Sequence, residues 1–545
     1  MRMLPTRLPA VAVFCAVLAA APALACTNLL VTPGASADGS AFITYTCDGV
    51  FHPILQLTPA ADYAPGEMQE VRHWNGDLLA EVPRPAHSYA VARLINEKQV
   101  ALAETTFDGR LELHNPDVGI HYWALMNLVL QRAGTAREAV EIIAELLETH
   151  GYRSTGESFS ICDPNEVWIM EMIGAGKDVK GVVWVARRLP DGAVSAHANM
   201  ARIGTFPTDD SDDTLYSDNI FEVAERHGWW SPDDGPLDFA KVYCPADAQK
   251  LRYCATRVWS LFRRAAPSQD FDPAFHRGEP DAERYPLWIT PDEKIGLSDV
   301  MDLMRDHYEG TDFDMTAGVD AGPHGCPVRW RPMAWEIDGE TYSWERPIST
   351  QQTGFSVIAQ CRDELPDPVG GCLWYGVDDS ATTAWFPLYA GVTAVPPSYA
   401  VGGLGDFSWD SAWWVFNIVA NFANLRYDDM HRDIAAVQSE LEDGFLAMQP
   451  AVEETAAKLF EQDPDLAAEY LTTYSVSAGE RVTARWTELA ESLFTTYNDG
   501  YVREDGRARE AGYPEEWRRE VLELRPDQFR LRQAEGDTVT NVLPY

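Results

Sequence analysis

The sequence predicts an α+β protein in which β-rich segments form two blocks and long amphipathic helices gather at the C-terminal end. Three observations carry this. Short apolar runs bounded by Pro, Gly, Asn and Asp recur from Thr27 to about residue 200, a second such block runs from Tyr342 to Pro396, and from Trp409 the apolar spacing turns helical. The 545 residues are 46% hydrophobic and 11% aromatic, ample for a packed interior and unlike a disordered chain. That length points to one large domain plus a second one or sizeable insertions. We divide it into a leader (1–25), a mixed α+β domain (26–400) and a helical C-terminal region (401–545).

The leader comes first. Arg2 and Arg7 precede an apolar run from Ala10 to Ala21, and small residues follow at Ala23 and Ala25. This is the pattern of a secretory signal peptide with an Ala-x-Ala cleavage site, so export to the periplasm or the medium is expected. Cleavage after Ala25 makes Cys26 the first residue of the mature chain. One residue then carries both a nucleophile and a base, since an α-amine of pKa about 7.7–8.0 can take the proton of a thiol near 8.5. Two other readings of Cys26 exist: a lipid-anchored cysteine, for which Ala23 stands where an aliphatic residue is usual, and an ordinary disulfide cysteine.

From Thr27 onward, Asn28 to Val31 reads as a buried strand, Pro33-Gly34 breaks it, Ala37-Asp38-Gly39 turns the chain, and Ser40 to Thr46 returns as a second strand. The hairpin therefore starts at the nucleophile. Asp48 follows its second strand and can reach back toward the N-terminus. Residues 52–90 hold strands and loops of weak periodicity. Tyr89 to Ala92 and Val100 to Thr106 read as two strands around Asn96-Glu97-Lys98, and Thr135 with Glu138 forms a capping box for a helix ending at Gly151.

Phe159 to Cys162, Val167 to Met172, Gly181 to Leu189 and Ala193 to Ala198 read as an antiparallel meander. Residues 207–213 form an acidic loop. Helices are expected over Leu251 to Phe262 and Leu297 to His307, and in the C-terminal region over Ser411 to Leu425, Asp433 to Met448, Val452 to Phe460, Ala467 to Tyr474 and Ala478 to Asn498.

Net charge is −41, an acidity that repels phosphate backbones and anionic lipid and argues against nucleic-acid binding and a peripheral membrane role; a saline habitat would also account for it. Beyond residue 25 no apolar run approaches the roughly 18 residues of a membrane span. Seven cysteines remain besides Cys15 and Cys26, and pairs such as Cys361 with Cys372 or Cys244 with Cys254 could close in an oxidising compartment. No CxxC, HExxH or clustered His spacing appears, so neither a metal nor a cofactor is expected.

Cys26-Thr27-Asn28-Leu29-Leu30-Val31 followed by Ala35-Ser36-Ala37-Asp38-Gly39-Ser40 resembles the opening of a dipeptidase family of cysteine N-terminal-nucleophile hydrolases, distantly related to penicillin V acylase and bile salt hydrolase. Asp163-Pro164-Asn165-Glu166-Val167-Trp168, Ala196-His197-Ala198-Asn199, Gln351-Gln352-Thr353-Gly354-Phe355 and Trp374-Tyr375-Gly376 extend the likeness to about Pro396. The resemblance implies a four-layer αββα sandwich and a hydrolase acting on short peptides, with Asp48 near the amine, Asn199 closing the oxyanion site and Arg257 near the nucleophile, for which Arg252 is the competitor.

The chain departs from the family pattern at Tyr45, where related hydrolases often carry an Arg three residues before the Asp. Glu104, beside Thr105-Thr106, is the expected acceptor of a substrate ammonium, and Tyr45 is placed with it in the substrate site. An amidase cutting non-peptide amides and a lipid-anchored surface protein without catalysis are the rival readings. Short peptides are the expected partners, and a homo-oligomer is compatible with the sequence.

Overall fold

The structure is a computed structural model that describes residues 25–530 apart from Trp74 and Asp178; the signal peptide expected at 1–25 lies, but for Ala25, outside the described residues. In chain order the elements that build the site are β1 (Ala25–Val31), β2 (Ala41–Asp48), β3 (Leu57–Thr58), β4 (Val91–Ala92), β5 (Ile95–Asn96), β6 (Ala101–Phe107), α1 (Tyr122–Leu130), α2 (Ala136–His150), β7 (Gly156–Cys162), β8 (Val167–Gly174), β9 (Val182–Arg188), β10 (Val194–His197) and β11 (Thr214–Tyr216). They continue with α3 (Thr256–Ala265), β12 (Trp288–Ile289), β13 (Thr353–Cys361), β14 (Cys372–Val377), β15 (Phe386–Tyr389), α4 (Ala412–Ala423), α5 (Tyr427–Gln462) and α6 (Pro464–Tyr497).

Two antiparallel sheets stack face to face. The first has the order β12-β10-β1-β2-β13-β14-β15 and the second β11-β9-β8-β7-β6-β5-β4-β3. Strands β1 and β2 lie against β6, α1 and α2 cover the outer face of the second sheet, and α3, α4 and α6 cover the first. This is the αββα sandwich with a helical C-terminal extension. Both faces of each central strand are covered, so β1, β2, β7, β8 and β13 are buried at almost every position instead of alternating.

Helix α2 forms as its cap predicts. Thr135 Oγ1 accepts from Glu138 N at 3.1 Å, a contact worth about 1 kcal/mol, and the Glu138 carboxylate accepts from Gly134 N at 2.8 Å. Ala139, Val140, Ile143 and Leu147 then turn inward. Helix α1, by contrast, is not signalled in the sequence: YWALMNLVL is apolar nearly all round, as a helix buried among others is.

Two expectations change. The four-strand meander breaks at its last member, because β10 leaves the second sheet and pairs with β1, setting His197 opposite Asn28. His197 then bridges the layers, its Nδ1 2.7 Å from Thr105 Oγ1 and its Nε2 2.8 Å from Ser160 Oγ. The helices expected as pairs over 433–460 and 467–498 are each continuous. Pro450 sits on the exposed side of α5, where a freed carbonyl meets water. In α6 the apparent break near Ser477 is a packing feature: Ser475 Oγ accepts from Tyr389 N, and a Cβ at Gly479 would lie 2.4 Å from Pro396 Cγ.

The C-terminal helices are locked to the sandwich by buried charges. Arg362, just past β13, makes two hydrogen bonds to Glu453 of α5 at 2.8 and 2.6 Å, and Arg305 pairs with Glu442 at 2.7 Å.

Candidate active site

Strands β1 and β2 pair with Cys26 opposite Cys47 and Ala25 opposite Asp48, so the hairpin alone brings Cys26 and the first expected carboxylate together. On its other edge β2 pairs with β13 through a bulge that sets Thr353 opposite Asp48 and Phe355 opposite Cys47, Gly354 being the extra residue. Thr353 Oγ1 donates to Asp48 Oδ1 at 2.7 Å, and Arg346 Nη2 donates to Asp48 Oδ2 at 3.1 Å. Burial pushes the Asp48 carboxyl up, against the pull of Arg346 and Thr353.

Strand β10 supplies the next residue. Asn199 follows it with φ 54°, a left-handed conformation that Asn tolerates better than most side chains. Its Oδ1 accepts from the Cys26 nitrogen at 2.9 Å, while its Nδ2 donates to the Thr106 carbonyl at 2.6 Å. Had β10 stayed in the meander, Asn199 would lie in the other sheet.

Arg257 arrives from α3. The turn before it, Leu251–Ala255, is a π-helix, an under-wound turn of a kind frequent at functional sites. Arg257 is fully buried; its Nη1 donates to the Cys26 carbonyl at 2.7 Å and to Thr27 Oγ1 at 2.8 Å, and its Nη2 to Asn199 Oδ1 at 3.0 Å. The competitor Arg252 points away and pairs with Glu345 at 2.6 Å, so Arg257 is the arginine that meets Cys26.

Glu104 and Tyr45 converge on the thiol from β6 and β2. The Cys26 sulfur lies 3.9 Å from both Glu104 Oε1 and the Tyr45 hydroxyl; that hydroxyl donates to Glu104 and lies 3.2 Å from Cys47 Sγ. Both side chains are fully buried. The phenol thus brings a hydrogen-bonding group and no positive charge to the thiol. Burial raises the Cys26 thiol well above its ordinary value, and the hydrogen bond to Cys47 and the Glu104 charge add to this. A proton acceptor has to be close by for this thiol to react.

Three participants were not among the expected site residues. Glu157 faces Glu104 from β7, accepting from Thr106 Oγ1 at 3.0 Å and from the Tyr152 hydroxyl at 2.6 Å. Burial and the Glu104 charge raise it well above the usual carboxylate range. Arg346 and Thr353 hold Asp48 from segments some 300 residues away, a distance no local pattern bridges. A cleft of about 530 Å3 borders the site at Cys47 and is walled also by Phe51, His52, Arg93, Tyr122 and Trp123, among others.

Among the described residues no group of three or more His, Cys, Asp or Glu is placed to hold a metal ion, and no helix is long and apolar enough to cross a membrane. All described cysteines are free. The structure brings Cys162, rather than Cys372, to Cys361, with the sulfurs 3.8 Å apart across the two sheets.

A two-sheet sandwich flanked by helices, with a cysteine at the start of a central strand and its nitrogen held by an Asn and an Arg, defines a cysteine hydrolase of the N-terminal-nucleophile class. The chain belongs to peptidase family C69, whose model matches residues 25–440. It is similar to a probable dipeptidase of Salmonella dublin, 26% identical over 406 residues that cover 70% of this chain and 84% of that one. It is also similar to dipeptidase A of Lactobacillus helveticus, 24% identical over 447 residues (77% and 84%), and to a probable dipeptidase B of Lactococcus lactis subsp. lactis, 26% identical over 490 residues (85% and 94%).

Proposed function

We propose that the mature protein is an exported dipeptidase whose nucleophile is N-terminal Cys26, unmasked by removal of residues 1–25. The observation that carries this reading is the environment of the Cys26 nitrogen: it is held at 2.9 Å by Asn199 Oδ1, which also accepts from Arg257, so the atom that cleavage would turn into an α-amine is already positioned. The names of the family relatives favour dipeptides over other amides.

In this mechanism the neutral α-amine takes the Cys26 proton and the thiolate attacks the peptide carbonyl. Asn199 and a backbone N–H hold the developing oxyanion, and the ammonium returns its proton to the leaving amine. Water, deprotonated by the same amine, releases the acyl-enzyme. Asp48, fixed by Arg346 and Thr353, supplies negative charge beside the N-terminus. Glu104 offers the substrate's own α-ammonium a carboxylate 3.9 Å from the sulfur.

The test compares a protein beginning at Cys26 with one that retains Ala25. An amide nitrogen at position 26 is not a base, so the longer protein should turn over a dipeptide at least 100-fold more slowly; equal rates would overturn the mechanism. Mass spectrometry of the exported protein should show an unmodified Cys26 at its N-terminus, and diacylglycerol there would favour the anchored reading instead.

A further inference from the structure

The cleft that reaches Cys47, the cross-strand neighbour of Cys26, has a cation at one wall and no acid. None of its lining residues is Asp or Glu, although the chain carries 84 acids against 43 Lys and Arg, and Arg93 is its one arginine or lysine. Arg93 makes no hydrogen bond or ion pair among the described residues, and its Nε is buried without a partner. Its guanidinium instead lies over two rings, 4.4 Å from the centre of Trp123 and 4.8 Å from that of Phe355. Such stacking holds the plane of the guanidinium and leaves its N–H edge for an in-plane acceptor.

The backbone beneath it is strained. Arg93 sits between β4 and β5 with φ 62°, and Leu94 N donates to the Ala92 carbonyl at 2.8 Å, closing a three-residue turn of the rare positive-φ kind. Gly would adopt this conformation without cost, so a long charged side chain in its place points to a role for the charge.

Distance supplies the ligand. Cys26, Cys47 and Phe355 stand in one row across β1, β2 and β13 and share a sheet face. Two strand spacings of about 4.8 Å put the Phe355 backbone roughly 10 Å from that of Cys26, with the Arg93 guanidinium 4.8 Å from the Phe355 ring centre. From the sulfur, about 3 Å to an attacked carbonyl, about 3.6 Å for one residue of chain and about 2.8 Å of charge-assisted hydrogen bond span nearly that distance.

Resting on the dipeptidase reading, we propose that Arg93 receives the C-terminal carboxylate of the substrate one residue beyond the scissile bond, and so sets substrate length from the leaving-group side. A tripeptide cut after its first residue would carry its carboxylate about 3.6 Å too far. The apolar walls, Phe51 and Ile54, favour an apolar leaving residue.

The experiment uses the mature enzyme with Ala-Leu and its C-terminal amide. Wild type should cleave the free acid with kcat/KM at least 30-fold above the amide. Arg93→Asn, which removes the cation and tolerates positive φ, should bring that ratio to within 3-fold of one, mainly by raising KM for the acid; Arg93→Lys should retain part of the preference. Binding to the Cys26→Ala protein, read by calorimetry, separates the two levels of the argument. Failure of wild type to cleave either compound overturns the dipeptidase reading. Equal binding of acid and amide by Cys26→Ala, or an acid preference unchanged by adding Arg93→Asn, overturns the assignment of Arg93.

Discussion

The side-chain oxygen of Asn199 accepts a hydrogen from the Cys26 nitrogen at 2.9 Å, and Arg257 Nη2 donates to the same oxygen at 3.0 Å. One carboxamide thereby links Cys26 to the buried arginine, and its other end is tied to the Thr106 carbonyl, so it cannot rotate without losing three contacts. Asn199→Ala should therefore lower kcat/KM by about 10²–10³ with little change in fold, checked by circular dichroism and steady-state kinetics. An effect below 10-fold would remove Asn199 from the oxyanion site.

Cys26 and Cys47 are cross-strand neighbours, both buried, yet under the proposed cleavage only Cys26 would bear a terminal amine. Cys26→Ala should abolish turnover, and Cys47→Ala should keep at least a tenth of it. Intact-mass analysis after brief exposure to a dipeptide ester should find the acyl adduct on Cys26 alone; an adduct on Cys47 would move the nucleophile.

The hairpin that carries Cys26 and Asp48 was legible because its turn and both strands are contiguous, and the α2 cap because its residues lie within four of one another. What the sequence could not show are choices between sheets. Ala193 to Ala198 has no alternation of polar and apolar faces, so nothing local says that β10 pairs with β1, although that pairing is what delivers Asn199. Arg257 and Arg252 lie five residues apart in one helical stretch and face different directions, and nothing local says which of them meets Cys26; the partners of Asp48 and Glu104 come from segments far away in the chain. The resemblance named Asn199 and Arg257; the fold explains how they arrive.

The buried pair of Arg362 and Glu453 joins the first sheet to α5, with Tyr389 donating to the same carboxylate at 3.1 Å. Removing one partner leaves a buried charge alone, so Glu453→Ala should cost about 3–5 kcal/mol in denaturant unfolding. Replacing both by Leu should recover at least half of that loss. If Glu453→Ala and the double variant unfold at the same midpoint, the pair contributes by shape and not by charge.

His197 makes acid stability a test of how the two sheets are joined. Its ring is fully enclosed between Thr105 and Ser160, and burial, followed by the positive charges of Arg202 and Arg257, pushes its pKa down to about 3. In the unfolded chain the same group titrates near its ordinary value, about 6.5. Between these values the unfolded state binds a proton that the native state does not, so stability rises with pH by about 1.4 kcal/mol per unit from this residue and levels off above roughly 6.5. Below about 3 both states are protonated and the contribution is lost. His197→Gln keeps a hydrogen-bonding side chain but cannot titrate, so its unfolding free energy, measured by urea titration from pH 4 to 6, should rise less steeply than wild type by one proton's worth. Parallel slopes for the two proteins would mean that His197 is protonated inside the fold, and that the contacts to Thr105 and Ser160 are not those of a neutral ring.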